Sequence, residues 1–325
     1  MFRFPRAVRN FNKNTYMNIK YILTIILILG ISVLNAQGLQ KPITGKIDHI
    51  EKFDSKYIEA RNIDIWLPNN YDGEKKFAVL YMHDGQMLYD STTTWNHQTW
   101  NVDDVAGKLM KEGKVKDFIV VGIWNSNKKR HTEYFPQKPF ENLTQIEKDT
   151  IVNQMRRSLH TEEIFKPKSD DYLKFLVKEL KPMIDKKYAV LSDQKNTFIA
   201  GSSMGGLISM YAICEYPKIF GGAACISTHW TGSFANENNP IPNTFINYLK
   251  ANLPNPKNHK IYFDTGDQGI DAYYAVTQEK IDKIMIEKDF TSKNWITKYF
   301  KGKDHSEKSW NERLEIPLIF LAGKK

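Results

Sequence analysis

Short apolar runs alternate along the chain with segments in which apolar residues recur every three or four positions. The apolar runs predict buried strands at residues 77–82, 118–124, 222–227, 261–265 and 295–300, and in the first half of 196–207. The helical spacing predicts helices at residues 102–110, 171–188, 204–216, 245–249, 273–290 and 310–321. Looser alternation at 43–53 and 57–67 predicts an antiparallel start to the sheet.

This alternation predicts the α/β class, with a doubly wound, mostly parallel sheet and helices on both of its faces. Ligands of such sheets bind beyond the carboxyl ends of the strands, so we expect functional residues there. Residues 125–167 are polar and aromatic, and they predict a long loop that covers a site. Pro182 is expected to bend or end the helix at 171–188.

The first 36 residues carry five basic side chains and no acid, and residues 21–34 are apolar. A basic flank, a short apolar core and Ala36 before Gln37 predict a signal peptide that is cut after Ala36. Because Leu34 is large for the third position before the cut, an uncleaved anchor is the alternative. After cleavage, residues 37–325 are expected to form a single domain in the periplasm or outside the cell, with no stable membrane association.

Charge and cysteine content narrow the function classes. Loss of the first 36 residues, with their five basic side chains, lowers the net charge from +9 to +4. The remaining charge is small and gives no reason to expect a nucleic-acid partner. Cys214 and Cys225 are expected to be small core residues rather than a disulfide. Neither has a neighbour with metal-ligand spacing, so no metal site is expected.

Residues 201–205 read Gly-Ser-Ser-Met-Gly, which is the spacing of a nucleophile elbow. An apolar run of strand type precedes this motif and a helical pattern follows it. Such a turn holds its central serine in a strained backbone conformation, and only small neighbours leave room for the turn and a substrate. We therefore predict Ser203 as a nucleophile, and a glycine-rich turn without chemistry is the alternative.

A serine nucleophile in this fold requires an acid and then a histidine farther along the chain, each just past a strand. His305 follows the strand at 295–300 and is predicted as the general base. His229 precedes the acid candidates, and His259 precedes a strand and so lies at the wrong edge of the sheet. Asp267 and Asp271 both follow the strand at 261–265, and their spacing does not separate them.

The loop after the strand at 77–82 is expected to supply a backbone amide that stabilises negative charge on the substrate. Its sequence, His-Asp-Gly-Gln at 83–86, contains a glycine that allows close approach. The amide of Gln86 or Gly85 would act together with that of Met204. His83 precedes the acids in chain order and is predicted to brace the loop.

Three of these strings resemble a family of esterases that includes enterochelin esterases, the acetyl and feruloyl esterases of carbohydrate esterase family 1, and S-formylglutathione hydrolase. They are Leu-Tyr-Met-His-Asp-Gly-Gln at 80–86, Gly-Ser-Ser-Met-Gly-Gly at 201–206 and Asp-His-Ser-Glu at 304–307. Residues 94–96, 122–124 and 310–321 extend the resemblance over nearly the whole mature chain.

This resemblance implies an α/β-hydrolase fold, ester hydrolysis and no cofactor. Relatives of this type commonly have an aspartate where Asp271 stands, ahead of a tyrosine-containing helix. The resemblance therefore favours Asp271 over Asp267. It implies an acyl-enzyme mechanism in which Ser203 attacks, His305 transfers the proton and the amides of Gln86 and Met204 hold the oxyanion.

Aromatic residues crowd the loops that should surround this site, and flat rings suit sugar faces or aromatic acyl groups. Trp95, Trp124 and Trp230 are the predicted substrate contacts. Arg130 could meet an anionic group, although a solvated charge cluster is the other interpretation. The loops also contain Trp100, Tyr134 and Phe135, and packing is the alternative role for any one ring.

Three functions fit the sequence. The first is a secreted carboxylesterase that removes acyl groups of acetyl or feruloyl type. Its substrate would be a carbohydrate ester or a related small-molecule or oligosaccharide ester. The second is an enterochelin-type esterase that opens a siderophore trilactone. The third is a non-catalytic binding protein that keeps the fold, and the presence of Ser203, Asp271 and His305 together argues against it.

Overall fold

The computed structural model describes residues 38–324 except 159, 161–162 and 234–238. The predicted signal peptide at 1–36 lies outside the described residues. Gln40–Lys325 forms one compact unit. None of the described helices combines the length and the apolar character that a bilayer crossing requires.

An eight-stranded sheet forms the centre of the unit, with the strand order β1-β2-β4-β3-β5-β6-β7-β8. β1 and β2 pair antiparallel, β2 is antiparallel to β4, and all other neighbours are parallel. The strands are β1 Lys46–Phe53, β2 Arg61–Leu67, β3 Ala78–His83, β4 Phe118–Ile123, β5 Thr197–Ser202, β6 Gly222–Ile226, β7 Lys260–Thr265 and β8 Trp295–Tyr299. The doubly wound, mostly parallel sheet predicted from the sequence is therefore confirmed.

Helices cover both faces of this sheet. They are α1 Val102–Lys111, α2 Arg130–Tyr134, α3 Gln137–Glu141, α4 Gln145–Ser158, α5 Ser169–Phe175, α6 Lys181–Lys187, α7 Met204–Glu215, α8 Ile241–Asn252, α9 Ala275–Glu287, α10 Glu307–Asn311 and α11 Glu315–Ala322. Successive residues of a strand point to opposite faces, so Val79 and Tyr81 enter one core while Leu80 and Met82 enter the other.

The structure corrects the prediction of a loop at 125–167, because α2, α3 and α4 lie within it. Only Ile151 and Met155 are buried among the residues of α4, so this helix shows little apolar periodicity. The segment is anchored instead by aromatic contacts, with the Phe135 ring 5.5 Å from those of Phe165 and Phe245. Such contacts join residues that are distant in sequence, which a local pattern does not reveal.

The helices predicted at 171–188 and 310–321 each contain a proline. Pro182 does not end its helix, because α5 continues through a wider π-helical turn at Leu176–Leu180 into α6. The helix predicted at 310–321 is interrupted, and α11 begins at Glu315. Pro317 has no amide hydrogen, so it fits the first turn of α11 but not the interior of a longer helix.

Both cysteines are free and buried, as predicted. Burial raises the pKa of the Cys214 and Cys225 thiols, so neither has the thiolate character of a reactive cysteine.

Candidate active site

Ser203 lies in the sharp turn between β5 and α7, with backbone angles φ 57° and ψ −122°. Its amide donates a hydrogen bond to the Ile226 carbonyl at 2.9 Å, which fixes the turn against β6. A Cβ atom at Gly201 would lie 2.8 Å from the Gly205 carbonyl carbon, so only glycine fits there. The turn therefore stores backbone strain at Ser203, and such strain is concentrated at functional sites in proteins.

His305 and Asp271 meet although 34 positions separate them, with His305 Nδ1 2.5 Å from Asp271 Oδ1. Asp271 is fully buried, and its second oxygen accepts the Gly266 amide and the Ser227 hydroxyl, both at 2.7 Å. These contacts leave the other ring nitrogen of His305 for a group in the cavity. The geometry provides a histidine that a carboxylate orients.

The other acid candidate faces away from this pair. Asp267 is half-buried, and its carboxylate accepts hydrogen bonds from the Tyr299 hydroxyl and the Gly302 amide, each at 2.7 Å. A hydrogen bond from Gln268, followed by those from Tyr299 and Gly302, lowers the pKa of Asp267. Asp267 therefore closes the turn after β8, which is a local structural contact.

The other two histidines beyond the elbow occupy different sites. His229 is buried, and its Nδ1 lies 2.6 Å from the Tyr274 hydroxyl. Burial lowers the pKa of His229 well below its usual value, so its ring is neutral. His259 lies just before β7, with Nδ1 2.7 Å from the Asn255 carbonyl, at the opposite end of the strand from Asp271.

The turn after β3 approaches Ser203 from the other side. Asp84 has φ 57°, and a short 3₁₀ turn follows at Gly85–Met87. A Cβ atom at Gly85 would lie 2.5 Å from the Gly122 carbonyl carbon, so this glycine is required for the close approach. The first backbone N–H groups of a helix have no carbonyl acceptor within that helix. The N–H groups of Gln86 in the 3₁₀ turn and of Met204 in α7 are in this position. Ser203 and Gln86 line the same cavity.

Arg130 lines this cavity, and its charge is paired within the protein. Its Nε and Nη2 each donate to the Asp84 carboxylate at 2.7 Å, and the Asn125 side chain donates to the same carboxylate at 2.7 Å. Burial opposes ionisation of Asp84, yet the charge and hydrogen bonds of Arg130 outweigh it and lower the pKa of Asp84. The guanidinium is therefore occupied by an internal partner.

The three predicted tryptophan contacts separate. Trp95 is 80% exposed and lines the cavity. Trp124 and Trp230 are buried, and their indole N–H groups donate to Asp64 at 2.7 Å and Gln278 at 2.8 Å. The structure does not bring Trp124 or Trp230 to the cavity, so both are corrected to packing residues.

The cavity has a volume of about 610 Å³. Residues with polar side chains outnumber apolar ones in its lining, although apolar atoms form more of the lined surface. The lining includes Trp95, Asn96, Gln98, Trp100, Asn125, Arg130, Ser203, His305, Glu307 and Trp310. Two hydrogen bonds connect the segment that contains Trp95 to the chain after His305. Asn96 donates to Glu307 at 2.8 Å, and the Lys308 amide donates to Gln98 at 3.1 Å.

Sequence reasoning missed several of these contacts. Ser227, Asn125 and Asp84 each follow a strand of the parallel sheet, and this position alone could have marked them as candidates. Trp310 packs edge-on against the His305 ring at 5.0 Å between centroids, and no local signal in the sequence predicts that contact.

Comparison with known proteins places this geometry in a family. A family model described as "Putative esterase" matches residues 56–321. The uncharacterized protein YbbA of Bacillus subtilis (strain 168) is 24% identical over 271 residues, which are 81% of this chain and 93% of that protein. An endo-1,4-beta-xylanase/feruloyl esterase of Xylanibacter ruminicola is 25% identical over 191 residues, which are 54% of this chain and 21% of that protein.

Solved structures share the fold. A ferulic acid esterase superposes with a TM-score of 0.59 at 20% identity, covering 86% of this chain and 99% of that chain. The enterobactin esterase FES from Shigella flexneri gives a TM-score of 0.59 at 16% identity, covering 87% of this chain and 60% of that chain. The chain thus belongs to the esterase family of α/β-hydrolases and is a carboxylic ester hydrolase.

Proposed function

We propose that this protein is a secreted serine esterase that hydrolyses acetyl-type or feruloyl-type esters of carbohydrates. Ser203 would be the nucleophile, His305 the general base and Asp271 the acid that orients it. The observation that carries this proposal is the 2.5 Å contact between His305 Nδ1 and Asp271 Oδ1, beside a cavity that both Ser203 and His305 line.

In the first half-reaction, the Ser203 hydroxyl attacks the ester carbonyl while His305 accepts its proton. Asp271 holds the ring in the tautomer that carries hydrogen on Nδ1, which leaves Nε2 free to accept. The amides of Met204 and Gln86 would stabilise the oxyanion of the tetrahedral intermediate. Collapse of this intermediate expels the alcohol, which takes the proton from His305, and leaves an acyl-enzyme.

In the second half-reaction, His305 removes a proton from water, and the resulting hydroxide attacks the acyl-enzyme carbonyl. The same two amides would hold the second oxyanion. Ser203 then leaves, recovers its proton from His305 and releases the carboxylic acid. The proposed reaction steps require no metal or cofactor.

The charges of the cavity favour a neutral, hydroxyl-rich substrate. Arg130 is the only lysine or arginine among the described residues that line it, and Asp84 neutralises its charge. Glu307 adds a negative charge, while Asn96, Gln98 and Asn125 offer amide donors and acceptors. Such groups suit sugar hydroxyls, and the exposed Trp95 ring suits a sugar face or an aromatic acyl group.

The siderophore alternative receives less support. A trilactone that carries catecholates is anionic, and the cavity lining described above provides no uncompensated cation to attract it. A non-catalytic binding role receives little support as well. Strain at Ser203 and a buried carboxylate that faces His305 are costly features for a protein that only binds.

Export is part of the proposal and rests on residues 1–36, with periplasmic or extracellular location after cleavage. Mass spectrometry of the mature amino terminus tests it. We expect the chain to begin at Gln37, and a membrane fraction that retains residues 21–34 would contradict cleavage.

Catalysis is tested by comparing the wild-type protein with Ser203→Ala on an aryl acetate, and then on acetylated xylan, a feruloyl oligosaccharide and a catecholate trilactone. We expect turnover of the carbohydrate esters by the wild type, and loss of more than 99% of turnover in the variant. Preferential hydrolysis of the trilactone would favour the siderophore alternative, and full activity of the variant would remove Ser203 from the mechanism.

A further inference from the structure

A buried serine contacts the Asp271 carboxylate at the oxygen that His305 does not contact. Ser227 follows β6 directly and is fully buried. Its hydroxyl lies 2.7 Å from Asp271 Oδ2, whereas His305 contacts Oδ1. The two oxygens of Asp271 are therefore held by different partners.

The Ser227 hydroxyl has only one hydrogen-bond acceptor among these neighbours. Trp310 Nε1 lies 3.0 Å from Ser227 Oγ and Arg313 Nη2 lies 2.8 Å from it, and both nitrogens are obligatory donors. The oxygen therefore accepts two hydrogen bonds, and its single hydrogen points to Asp271. A hydroxyl normally rotates between partners, but this one is fixed by its neighbours.

The backbone of Ser227 is held as firmly as its side chain. Its φ is 40°, a conformation that non-glycine residues rarely adopt. The Ser227 amide donates to Asp264 Oδ1 at 3.0 Å, and Arg313 pairs with the same carboxylate through Nη2 at 3.0 Å and Nε at 3.2 Å. Asp264 and Arg313 thus fix Ser227 by its amide and its hydroxyl, and both are buried.

We propose that Ser227 is a positioning residue of the esterase, which aligns the Asp271 carboxylate with His305 through a hydroxyl that Arg313 and Trp310 orient. This inference rests on the proposed function of Ser203, Asp271 and His305. Ser227 does not touch the substrate cavity, so it acts only through Asp271. The backbone at Ser227 is strained, and glycine at this position would relieve the strain. The presence of serine is consistent with a requirement for its hydroxyl.

Two substitutions separate the hydroxyl from the backbone. Ser227→Ala removes the hydroxyl and keeps the strain, whereas Ser227→Gly removes both. If the serine is only structural, the glycine variant should recover the kcat of the wild type. If the hydroxyl positions Asp271, both variants should lose about 10- to 100-fold in kcat, as expected for a hydrogen bond to a charged group. KM should stay within about twofold in both, because Ser227 lies outside the cavity.

The measurement uses hydrolysis of an aryl acetate by the full chain, with the concentration of active sites titrated by a fluorophosphonate. This titration removes any loss that comes from misfolded protein. Ser169→Ala is the matched control, because it removes an equally buried hydroxyl that accepts the Gln137 amide at 2.8 Å, away from the cavity. We expect it to keep the wild-type kcat for each active site.

A double-mutant cycle tests whether Ser227 acts through Asp271. In an Asp271→Asn background, Ser227→Gly should have little further effect, because the carboxylate it serves is gone. A wild-type kcat in Ser227→Gly, or full additivity with Asp271→Asn, would overturn the inference. These outcomes differ from failure of the proposed function, in which the wild-type protein itself would not turn over the ester.

Discussion

The two sides of Ser203 contain the same residue types and use them differently. On the β3 side, His83 and Asp84 are adjacent in sequence, but the Asp84 carboxylate binds Arg130 while His83 Nδ1 lies 2.8 Å from the Tyr172 hydroxyl. On the β7 and β8 side, Asp271 and His305 are far apart in sequence and in direct contact. Proximity in sequence therefore does not make an acid and a histidine a functional pair.

The chemical states of the two sides differ accordingly. Burial lowers the pKa of His83 to about 3, so this ring is neutral over the physiological range and a poor proton acceptor. Arg130 outweighs burial and keeps Asp84 charged. The β3 side is thus suited to hold the shape of the turn at Gly85–Met87, while the β7 and β8 side offers the orientation that proton transfer requires.

The largest effect should come from the acid of the β7 and β8 side. We expect Asp271→Asn to lower kcat by about 10⁴-fold, because the amide favours the wrong tautomer of His305. Asp267→Asn is the matched control and should cost less than about threefold, because Asp267 bonds only to its own turn and Tyr299. Turnover of both variants on one aryl acetate decides between them, and a larger loss in Asp267→Asn would reverse the assignment.

The next effect concerns stability on the β3 side. Arg130→Met leaves the largely buried Asp84 carboxylate with Asn125 but without a cation. We expect the free energy of unfolding to fall by about 3 kcal/mol, as for other broken ion pairs with little exposure. Arg130→Lys keeps the charge but not the two parallel hydrogen bonds, so its loss should be smaller. Urea denaturation measures both, and wild-type stability in Arg130→Met would show that the pair contributes little.

A further effect should appear in the pH dependence of stability. The folded protein keeps His83 neutral down to about pH 3, whereas the unfolded chain binds a proton near pH 6.5. The free energy of unfolding therefore decreases by up to about 1.4 kcal/mol per pH unit as the pH falls from about 6.5 to 3. His83→Gln removes this contribution, and its stability should decline less between pH 7 and pH 4.

The wild-type protein and His83→Gln are measured in the same buffers, so that only the slope of the unfolding free energy against pH is compared. Equal slopes in His83→Gln and the wild type would mean that His83 does not resist protonation in the folded state.

The sequence predicted those parts of the molecule that local patterns determine. The strands were readable because a strand buried on both faces is a continuous apolar run, as in β3 and β4. Gly201 and Gly205 indicated the turn at Ser203, and the structure leaves no room for a larger side chain at Gly201. His305 was found because it follows the last strand.

Contacts between distant segments could not be predicted in this way. Asp267 and Asp271 lie four positions apart on one loop, and only its path turns one toward His305 and the other toward Tyr299. The pairs of Asp84 with Arg130 and of Asp264 with Arg313 join residues 46 and 49 positions apart. Burial of Trp124 and Trp230 depends on such distant partners as well.

Covalent labelling tests whether Ser203 is an activated nucleophile. The wild-type protein is treated with a fluorophosphonate, digested and examined by peptide mass spectrometry, with Ser203→Ala alongside. We expect a single phosphonate adduct on the peptide that contains Ser203, and no adduct in the variant. An adduct on another serine, or an unlabelled wild-type protein that still hydrolyses esters, would contradict it.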